Sequence, residues 1–577
     1  MRHARAIVVL ALPFLWVSPV ARAVQKEDLL TVAGDPGQPG GRIVVALRAQ
    51  PKTLNPVTVL DAPTREITQR MHADLISINR ITQATESALA KSWTVSKDGL
   101  HYTLKLRQGL RFSDGHPCDA SDVVFSFQVY QDEKTASPQR DLLMVDDKPI
   151  AVRQLDADTV VFDLAKPYAA AERLFDNVAI LPRHLLEKEW REGKMAQAWT
   201  LGVTPEAIAG LGPFCLKEFK PGEKLVLRRN PYYWKVDQKG LRLPYLDEIE
   251  FQFAGSEEAQ VLRFSAGQAD VLNRLSSRDF AFLEKDKAAK GYRLVDLGEG
   301  MEYNFLFFNL TPDKSAKYPW FSSLPFRKAI SAAIDRDALV RLVYQRRAVP
   351  LWGHVPPGNR NWVNDRLPKA ARSLAQARQL LTAAGFHWSA DGMLQDSNGK
   401  AVEFSIATSA SNPERVQMAT LIQDDLRQLG IRVQVAAIEF RTLLDKVLNK
   451  RDFEAAILAM GNGDADPNAE MNIWLSSGAT HLWNPSQKQP ATTWEAEVDR
   501  LMYEQTGVLD YAKRKRLYDR VQDIVAGQLP FIFLVSPNVL VAASGKIGNF
   551  QAAVLDHHTL WNADRLFIRE TVPPAGR

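Results

Sequence analysis

Apolar and polar positions alternate strictly in one stretch of the chain, SWTVSKDGLHYTLKLRQGLRFSDG, residues 92–115. Trp93 and Val95 alternate with polar neighbours before a Lys-Asp-Gly turn, and the alternation resumes in residues 102–106. A period of two on both sides of such a turn is typical of an antiparallel hairpin. The pattern therefore predicts a β-hairpin with one buried face.

Helical periodicity marks other stretches. Asp119, followed three residues later by Asp122, has the spacing of a capping box at the start of a helix. Apolar residues recur at helical spacing through residues 326–344 and 371–384, and Gly385 closes the second of these stretches. We expect an amphipathic helix over each.

Continuous apolar runs predict buried strands. Residues 302–309, EYNFLFFN, predict a strand buried on both faces, and residues 529–541 return to the same character. A strand over 403–407, a helix over 416–429 and a strand over 431–435 form a βαβ-like unit, which implies a parallel sheet. The chain thus combines α/β units with antiparallel hairpins. Its 577 residues are too many for one core, so two lobes are expected.

The first 23 residues have the features of a secretory signal peptide. Arg2 and Arg5 precede a short apolar stretch, residues 7–17, and Ala21-Arg22-Ala23 places small residues at the two positions that a signal peptidase requires. No cysteine near the cleavage point suggests lipid attachment. Residues 24–41 are rich in glycine and proline and predict a flexible N-terminal segment. We expect export to the periplasm.

Charge and cysteine content then limit the classes of partner and cross-link that the chain favours. Removal of residues 1–23 takes away three arginines and no acidic residue, so the formal charge falls from +5 to +2. A nearly neutral chain without charge blocks favours neither nucleic acid nor an anionic membrane as a partner. The two cysteines, Cys118 and Cys215, lie far apart in sequence, and we expect the fold to stand without a disulfide.

Catalytic motifs are missing from the sequence. It contains no His-Glu-x-x-His helix, no Gly-Lys-Ser/Thr phosphate loop, no Gly-x-Ser-x-Gly turn and no Cys-x-x-Cys pair. His557 and His558 are adjacent and on a strand would face opposite sides, so they do not suggest a shared metal. We therefore expect a binding protein without a cofactor or metal, and not an enzyme.

The hairpin run, continued by HPCDASDVVFSF, resembles the family 5 extracellular solute-binding proteins of ABC transporters. Further segments resemble the same family in the same order: PKTLNP at 51–56, ILPRHLL at 180–186, GLGPFCLKEF at 210–219, RNPYYW at 229–234 and FRKAISAAIDRDAL at 326–339. The likeness runs from about residue 41 to about residue 566. The order of these segments makes the resemblance specific, although each one alone is modest.

The resemblance implies a two-lobed periplasmic binding protein of the type II-like α/β class, with a discontinuous first lobe. In chain order it implies a first segment of lobe I at 42–75, an inserted subdomain of lobe I at 76–205, a second segment of lobe I at 206–296, lobe II at 297–528, and a third segment of lobe I with the C-terminal tail at 529–577. Such a receptor closes over an extended solute, here a peptide, and delivers it to a membrane permease and ATPase. We expect a monomer that contacts the membrane only through that permease.

The resemblance also implies binding residues. The peptide receptors of the family hold the ligand's terminal ammonium with an aspartate on a loop before a proline, and the matching loop is Gly461–Pro467, which contains Asn462 and Asp464. Asp464 is the predicted ammonium partner, because a buried charge needs a counter-ion. Asp466 suits a different role, as the N-cap of a helix that begins at Pro467.

Five other residues are candidates for contact with the ligand. Trp474 and Trp483 follow the loop, Tyr303 and Asn304 lie beside the expected hinge, and Arg65 falls where the first lobe would face the cleft. Aromatic rings in these positions serve equally well as core packing.

Two alternatives remain open at the level of sequence. One is a receptor of the same fold for an oligosaccharide or a metal chelate, because fold alone does not choose the ligand. The other is an exported hydrolase, which would need a nucleophile–base pair or a metal in the cleft.

Overall fold

The structure is a computed structural model that describes residues 27–176, 178–461, 465–485 and 487–569. The predicted signal peptide, 1–23, lies outside the described residues. No helix in the described ranges is both long enough and apolar enough to cross a bilayer.

The strands of these ranges, numbered β1 to β27 in chain order, are Leu30–Thr31, Arg42–Leu47, Ile76–Ile78, Thr85–Ser87, Ala90–Val95, His101–Leu106, Met144–Val145, Lys148–Pro149, Ala151–Asp156, Thr159–Asp163, Phe214–Lys220, Lys224–Arg229, Lys235–Val236, Glu248–Phe253, Val271–Leu272, Tyr292–Glu299, Glu302–Phe308, Ala348–Pro350, His387–Trp388, Leu394–Gln395, Glu403–Ser409, Arg432–Ile438, Ala455–Gly461, Phe531–Phe533, Val535–Ser544, Ile547–Gly548 and Phe567–Ile568.

The α-helices of the same ranges, numbered α1 to α17, are Ala62–Met71, Ala120–Gln131, Ala171–Leu174, Arg183–Arg191, Glu257–Ser265, Ser277–Glu284, Lys287–Lys290, Pro312–Lys317, Pro319–Ser322, Leu324–Ala333, Arg336–Ala338, Leu374–Ala383, Pro413–Arg427, Phe440–Leu444, Met471–Trp474, Thr493–Thr506 and Tyr511–Gln528.

A mixed sheet forms the centre of the first lobe. Its strand order is β11-β12-β14-β2-β15-β25-β16, with β18 added against β25. β2 lies in the middle of the sheet and pairs in parallel with both β14 and β15. Cys215 on β11 and Cys118 before α2 are both free thiols, so no disulfide joins this sheet to the inserted segment. The sheet unites strands from the beginning, the middle and the end of the chain, and the first lobe is therefore discontinuous in sequence.

A five-stranded sheet of order β22-β21-β23-β17-β24 forms the centre of the second lobe. β21, α13 and β22 make the predicted parallel βαβ unit. β17 is buried along both faces, because Tyr303, Phe305 and Phe307 pack into one apolar core while Leu306 and Phe308 pack into the other. Both predictions for this lobe's sheet are confirmed.

The predicted hairpin is confirmed as β5 and β6, which belong to a separate sheet of order β5-β6-β10-β9. Tyr102, Leu104 and Leu106 all point inward, whereas Val95 on the partner strand is exposed. The predicted buried face of the hairpin is thus complete on β6 and incomplete on β5. The capping box predicted at the start of α2 is also present.

The helix predicted over 326–344 is wrong as one continuous element. α10 ends at Ala333, and Asp335 then caps a new turn by accepting a hydrogen bond from the Ala338 amide. The Asp335 amide in turn donates to the Asp425 carboxylate at 2.9 Å. The side chain that caps the second turn competes with continuation of the first helix, which apolar periodicity does not register.

Two adjacent chain segments connect the lobes. β16 of the first sheet continues through Gly300 and Met301 into β17 of the second, and β24 of the second sheet continues through Leu534 into β25 of the first. The Leu534 amide donates to the Asn304 carbonyl at 2.9 Å, and the Gly300 amide donates to the Pro537 carbonyl at 3.2 Å. We call this pair of connections the crossing.

The crossing leaves no room for a side chain at Gly358. A Cβ atom there would lie 2.5 Å from the Glu299 carbonyl oxygen and 2.4 Å from that of Gly300. Both obstructing atoms belong to the backbone, so they cannot move aside as the end of a flexible side chain could. Close backbone packing therefore fixes the residue at this position as glycine.

Substitution of Gly358 by alanine should destabilise the protein by about 1–3 kcal/mol, the usual cost of overpacking. Urea denaturation measures the change. Gly202→Ala is the matched control, because nothing lies within 4 Å of the added carbon. Equal stability of the two variants would contradict the close packing of Gly358 on the crossing.

Candidate functional site

Ala465 and Asp466, the first described residues after β23, lie where the two lobes meet. Ala465 belongs to a small apolar cluster with Ile78 and Leu555 of the first lobe and Met301 of the crossing. The Arg173 and Asp466 side chains approach within 3.7 Å across the same boundary. Asn462 and Asp464 themselves lie outside the described residues, so their role as ligand contacts stays a prediction.

Asp466 has the structural role that its sequence predicts. It caps the 3-10 helix Pro467–Glu470, accepting from the Asn468 amide at 3.0 Å. The Arg514 guanidinium also donates two hydrogen bonds to its carboxylate, at 2.7 and 2.6 Å, and both side chains are buried. A paired, bidentate carboxylate of this kind holds the loop's C-terminal end in place.

A buried carboxylate, Glu470, follows Asp466 at the end of the 3-10 helix. Trp474 Nε1 and the Tyr518 hydroxyl each donate to it at 2.7 Å. Burial and the nearby Glu470 charge raise the pKa of the Tyr303 hydroxyl well above its ordinary value. His354 Nε2 lies 3.4 Å from the same carboxylate, and burial lowers the pKa of this histidine to about 3, which keeps its ring neutral. Hydrogen bonds and burial thus hold these side chains in one network around Glu470.

The predicted aromatic contacts lie in or beside this network. Trp474 and Trp483 are fully buried with ring centroids 6.0 Å apart, and Trp483 Nε1 donates to Glu495 at 3.1 Å. Tyr303 is equally buried among the aromatic rings of the second lobe. Their contact with a ligand remains a prediction.

Asn304 lies at the crossing. It is fully buried, and its side-chain oxygen accepts a hydrogen bond from Arg415 Nε at 3.1 Å. Its backbone carbonyl accepts the hydrogen bond from the Leu534 amide that is described above. The structure thus places Asn304 beside the expected hinge, and its ligand contact is likewise untested.

A cavity of about 460 Å³ opens within the first lobe. Its lining residues come from four stretches of the chain, 56–88, 130–142, 176–235 and 556–564. Ile78 lines this cavity and belongs to the apolar cluster that includes Ala465, so the cavity wall adjoins the lobe boundary. A concave space of this size is in the range of small-molecule sites.

Arg65 lines this cavity. It is half-buried, and among the described residues its guanidinium makes no hydrogen bond or ion pair. Its charge, with that of Arg274, lowers the pKa of the Asp556 carboxyl, which burial alone would raise. Of the predicted site residues that the structure describes, Arg65 is the one with an unengaged charged group facing the cavity.

Three other polar residues that line the cavity were not identified from the sequence. His72 and Asp74 follow α1 directly, and Asp176 comes from the inserted segment. The only local sign of the first two is that His72 and Asp74 are polar residues between α1 and the buried strand β3. Without the fold, nothing indicates that Asp176, about a hundred residues later, faces the same space.

The chain is similar in sequence to a family of bacterial proteins and to individual members of it. The family described as bacterial extracellular solute-binding proteins, family 5 (middle), matches residues 84–481, more than half of the chain. A probable ABC transporter-binding protein of Deinococcus radiodurans is 28% identical, over 86% of this chain and 87% of its own. The oligopeptide-binding protein AppA of Bacillus subtilis is 26% identical, over 88% of each chain.

Solved structures share the two-lobed fold. The ABC transporter substrate-binding protein CtaP of Listeria monocytogenes superposes with a TM-score of 0.76 at 23% identity, over 92% of this chain and all of its own. Bacillus subtilis AppA, solved with a nonapeptide, superposes with a TM-score of 0.71 at 22% identity, over 93% of this chain and all of its own.

The Glu66 carboxylate supports the cavity wall and makes stability depend on pH. Burial raises its pKa, but Arg70 and His557 more than offset this and hold the pKa at about 2, below the ordinary 4.5. Because the folded-state pKa is depressed, the stabilisation is present above pH 4.5 and is lost as the pH falls toward 2.

We therefore expect Glu66→Gln to lower the free energy of unfolding at pH 7 by up to about 3 kcal/mol and to flatten the acid limb of the stability profile. Thermal melts from pH 7 down to the acid transition measure both effects. Glu206→Gln, at an exposed position, is the control. A variant whose profile runs parallel to that of the wild type would refute this role of Glu66.

Proposed function

Because the chain belongs to family 5 of the bacterial extracellular solute-binding proteins, we propose that it is the periplasmic receptor of an ABC importer that binds a peptide between its lobes. The receptor hands the peptide to a membrane permease whose ATPase drives uptake. It acts as a monomer, exported by residues 1–23, and performs no chemistry on its ligand.

The observation that carries this proposal is the pair of lobes joined through the crossing and a few direct contacts. Each lobe has its own apolar core, and the crossing consists of two short backbone segments. Such a connection allows rotation of rigid bodies about a few residues. The implied division, with an inserted subdomain near 76–205 and the second lobe near 297–528, fits this arrangement.

Relatives that share this fold and match most of this chain favour a peptide as the ligand. Bacillus subtilis AppA is an oligopeptide-binding protein and was solved with a nonapeptide. An extended peptide offers regular main-chain donors and acceptors, which strand edges satisfy without reading side chains. Its terminal ammonium needs a negative partner once water is excluded.

Asp464 is the partner that we propose for that ammonium. Asp466, two residues away, is already paired with Arg514 and caps a helix, which makes it unsuited to the task. Ala465, which follows Asp464 directly, contacts the first lobe, and this position supports a role for Asp464 at the lobe boundary. Arg65, with its unengaged guanidinium, is the corresponding candidate for the ligand's carboxylate.

Asp464→Ala should weaken binding of a tripeptide such as Ala-Ala-Ala by several kcal/mol, because the buried ammonium loses its counter-ion. Isothermal titration calorimetry measures the affinity. Asp313→Ala, at an exposed helix start, controls for loss of one negative charge. Unchanged affinity in the Asp464 variant would remove this assignment.

Ligand should also bring the lobes together. Opening must break the hydrogen bond from Gln83 Nε2 to the Gly358 carbonyl, 3.0 Å, and that from the Ala169 amide to the Thr506 carbonyl, 2.7 Å. We expect small-angle scattering to give a smaller radius of gyration with peptide than without it. Gln83→Ala should enlarge the radius of the ligand-free protein, and identical radii in all three samples would count against the hinge.

A further inference from the structure

The acidic groups that line the cavity of the first lobe differ in how they are paired. Asp564 is paired with Lys235 at 3.0 Å and Asp556 with Arg274 at 2.7 Å. Asp74, by contrast, makes no side-chain hydrogen bond or ion pair with any described residue. It is thus a cavity carboxylate without a direct hydrogen-bond or ion-pair partner among the described residues.

The surroundings of Asp74 reinforce this imbalance. Its neighbour Asp176 accepts from the Ile78 amide at 3.0 Å and lies 3.7 Å from Arg80. Burial and the Asp176 charge raise the pKa of Asp74 well above its ordinary value, and Arg80 offsets this only in part. A cation placed beside Asp74 would relieve the repulsion between the two carboxylates and stabilise the ionised form.

His72 provides independent evidence that the cavity accommodates a polar group. Its ring is 6% exposed, lines the cavity and stacks on Trp199 with centroids 5.6 Å apart. Neither ring nitrogen has a hydrogen-bond partner among the described residues. Burial lowers the pKa of His72 to about 3, so the neutral ring offers one donor and one acceptor. Buried polar groups without partners are rare, and a hydrogen-bonding ligand group in the cavity would account for this one.

The cavity also has an apolar, exposed part. Leu60 and Leu142 both line it, although they are 75% and 49% exposed. Leucines at an opening and a carboxylate deeper inside match a side chain with an aliphatic stem and a cationic head. Lysine and arginine have this construction.

We propose that this cavity receives a basic side chain of the bound peptide, with its stem between Leu60 and Leu142 and its cationic head at Asp74. The inference rests on the proposed peptide function and narrows it to peptides that carry lysine or arginine. His72 accepts a hydrogen bond from the same head. Ile78 of the cavity wall belongs to the apolar cluster of Ala465 at the lobe boundary, so a peptide held between the lobes would lie beside the cavity.

The test uses tripeptides in pairs. Lysine or norleucine occupies position one, two or three, with alanine elsewhere, and calorimetry compares each pair on the wild type, Asp74→Asn and the exposed control Asp313→Asn. Norleucine keeps the aliphatic stem and lacks the charge. At one position we expect lysine to bind at least about tenfold more tightly than norleucine, the effect of one charge-assisted hydrogen bond.

Asp74→Asn should abolish the preference for lysine over norleucine, and Asp313→Asn should keep it. A wild type without lysine preference at every position, or a preference that survives in Asp74→Asn, overturns the inference while the peptide function stands. If no tripeptide binds the wild type but an uncharged sugar such as maltotriose does, the peptide function fails and this inference fails with it.

Two pH-dependent readouts separate recognition from folding. The groups that face Asp74 are Asp176, Arg80 and the hydroxyl of Tyr130. Because Asp74 holds its proton to a higher pH than an ordinary aspartate, the lysine preference should grow as the pH rises. Without peptide, Asp74→Asn should raise the thermal midpoint at high pH, where the wild type must ionise this buried carboxylate. A lower midpoint in the variant would show a structural role instead and overturn the inference.

Discussion

Backbone hydrogen bonding at the crossing is the constraint on which the rest of this protein depends. The segments around Gly300 and Leu534 leave one sheet and enter another side by side, held by main-chain bonds to Asn304 and Pro537. Main-chain bonds keep buried amides satisfied while the strands change direction. The lobes on either side can therefore have separate cores and still have a defined relation to each other.

Buried charges that are paired within the chain stabilise the fold, whereas charges that lack a partner and face the cavity are available to bind a ligand. Asp466 with Arg514, and Glu66 with Arg70 and His557, are buried groups whose charges are satisfied within the chain. Removing one member of such a set leaves an uncompensated charge, so these residues stabilise structure. Asp74 and Arg65 lack partners among the described residues and face a cavity. An unpaired charge in that position reduces stability in the empty protein and becomes favourable when a ligand supplies the missing partner.

The two lobes contribute differently to the proposed recognition. The second lobe supplies a buried network in which Trp474 and Tyr518 hydrogen-bond to Glu470. The first lobe supplies the cavity, with Leu60 at its opening and Asp74 and His72 deeper inside. A receptor built in this way holds the peptide backbone at the lobe boundary and reads one side chain in a separate space.

Sequence alone determined the elements whose causes are local. The hairpin of β5 and β6, the capping box at α2 and the βαβ unit of β21, α13 and β22 all follow from periodicity and turn chemistry within a few dozen residues. The break at Asp335 was missed because a capping side chain competes with a helical pattern that looks continuous. Tertiary structure decided the cavity, since His72, Asp176 and Asp556 meet only when segments hundreds of residues apart fold together. The charge state and pairing of each group depend on neighbours and burial that no local pattern encodes.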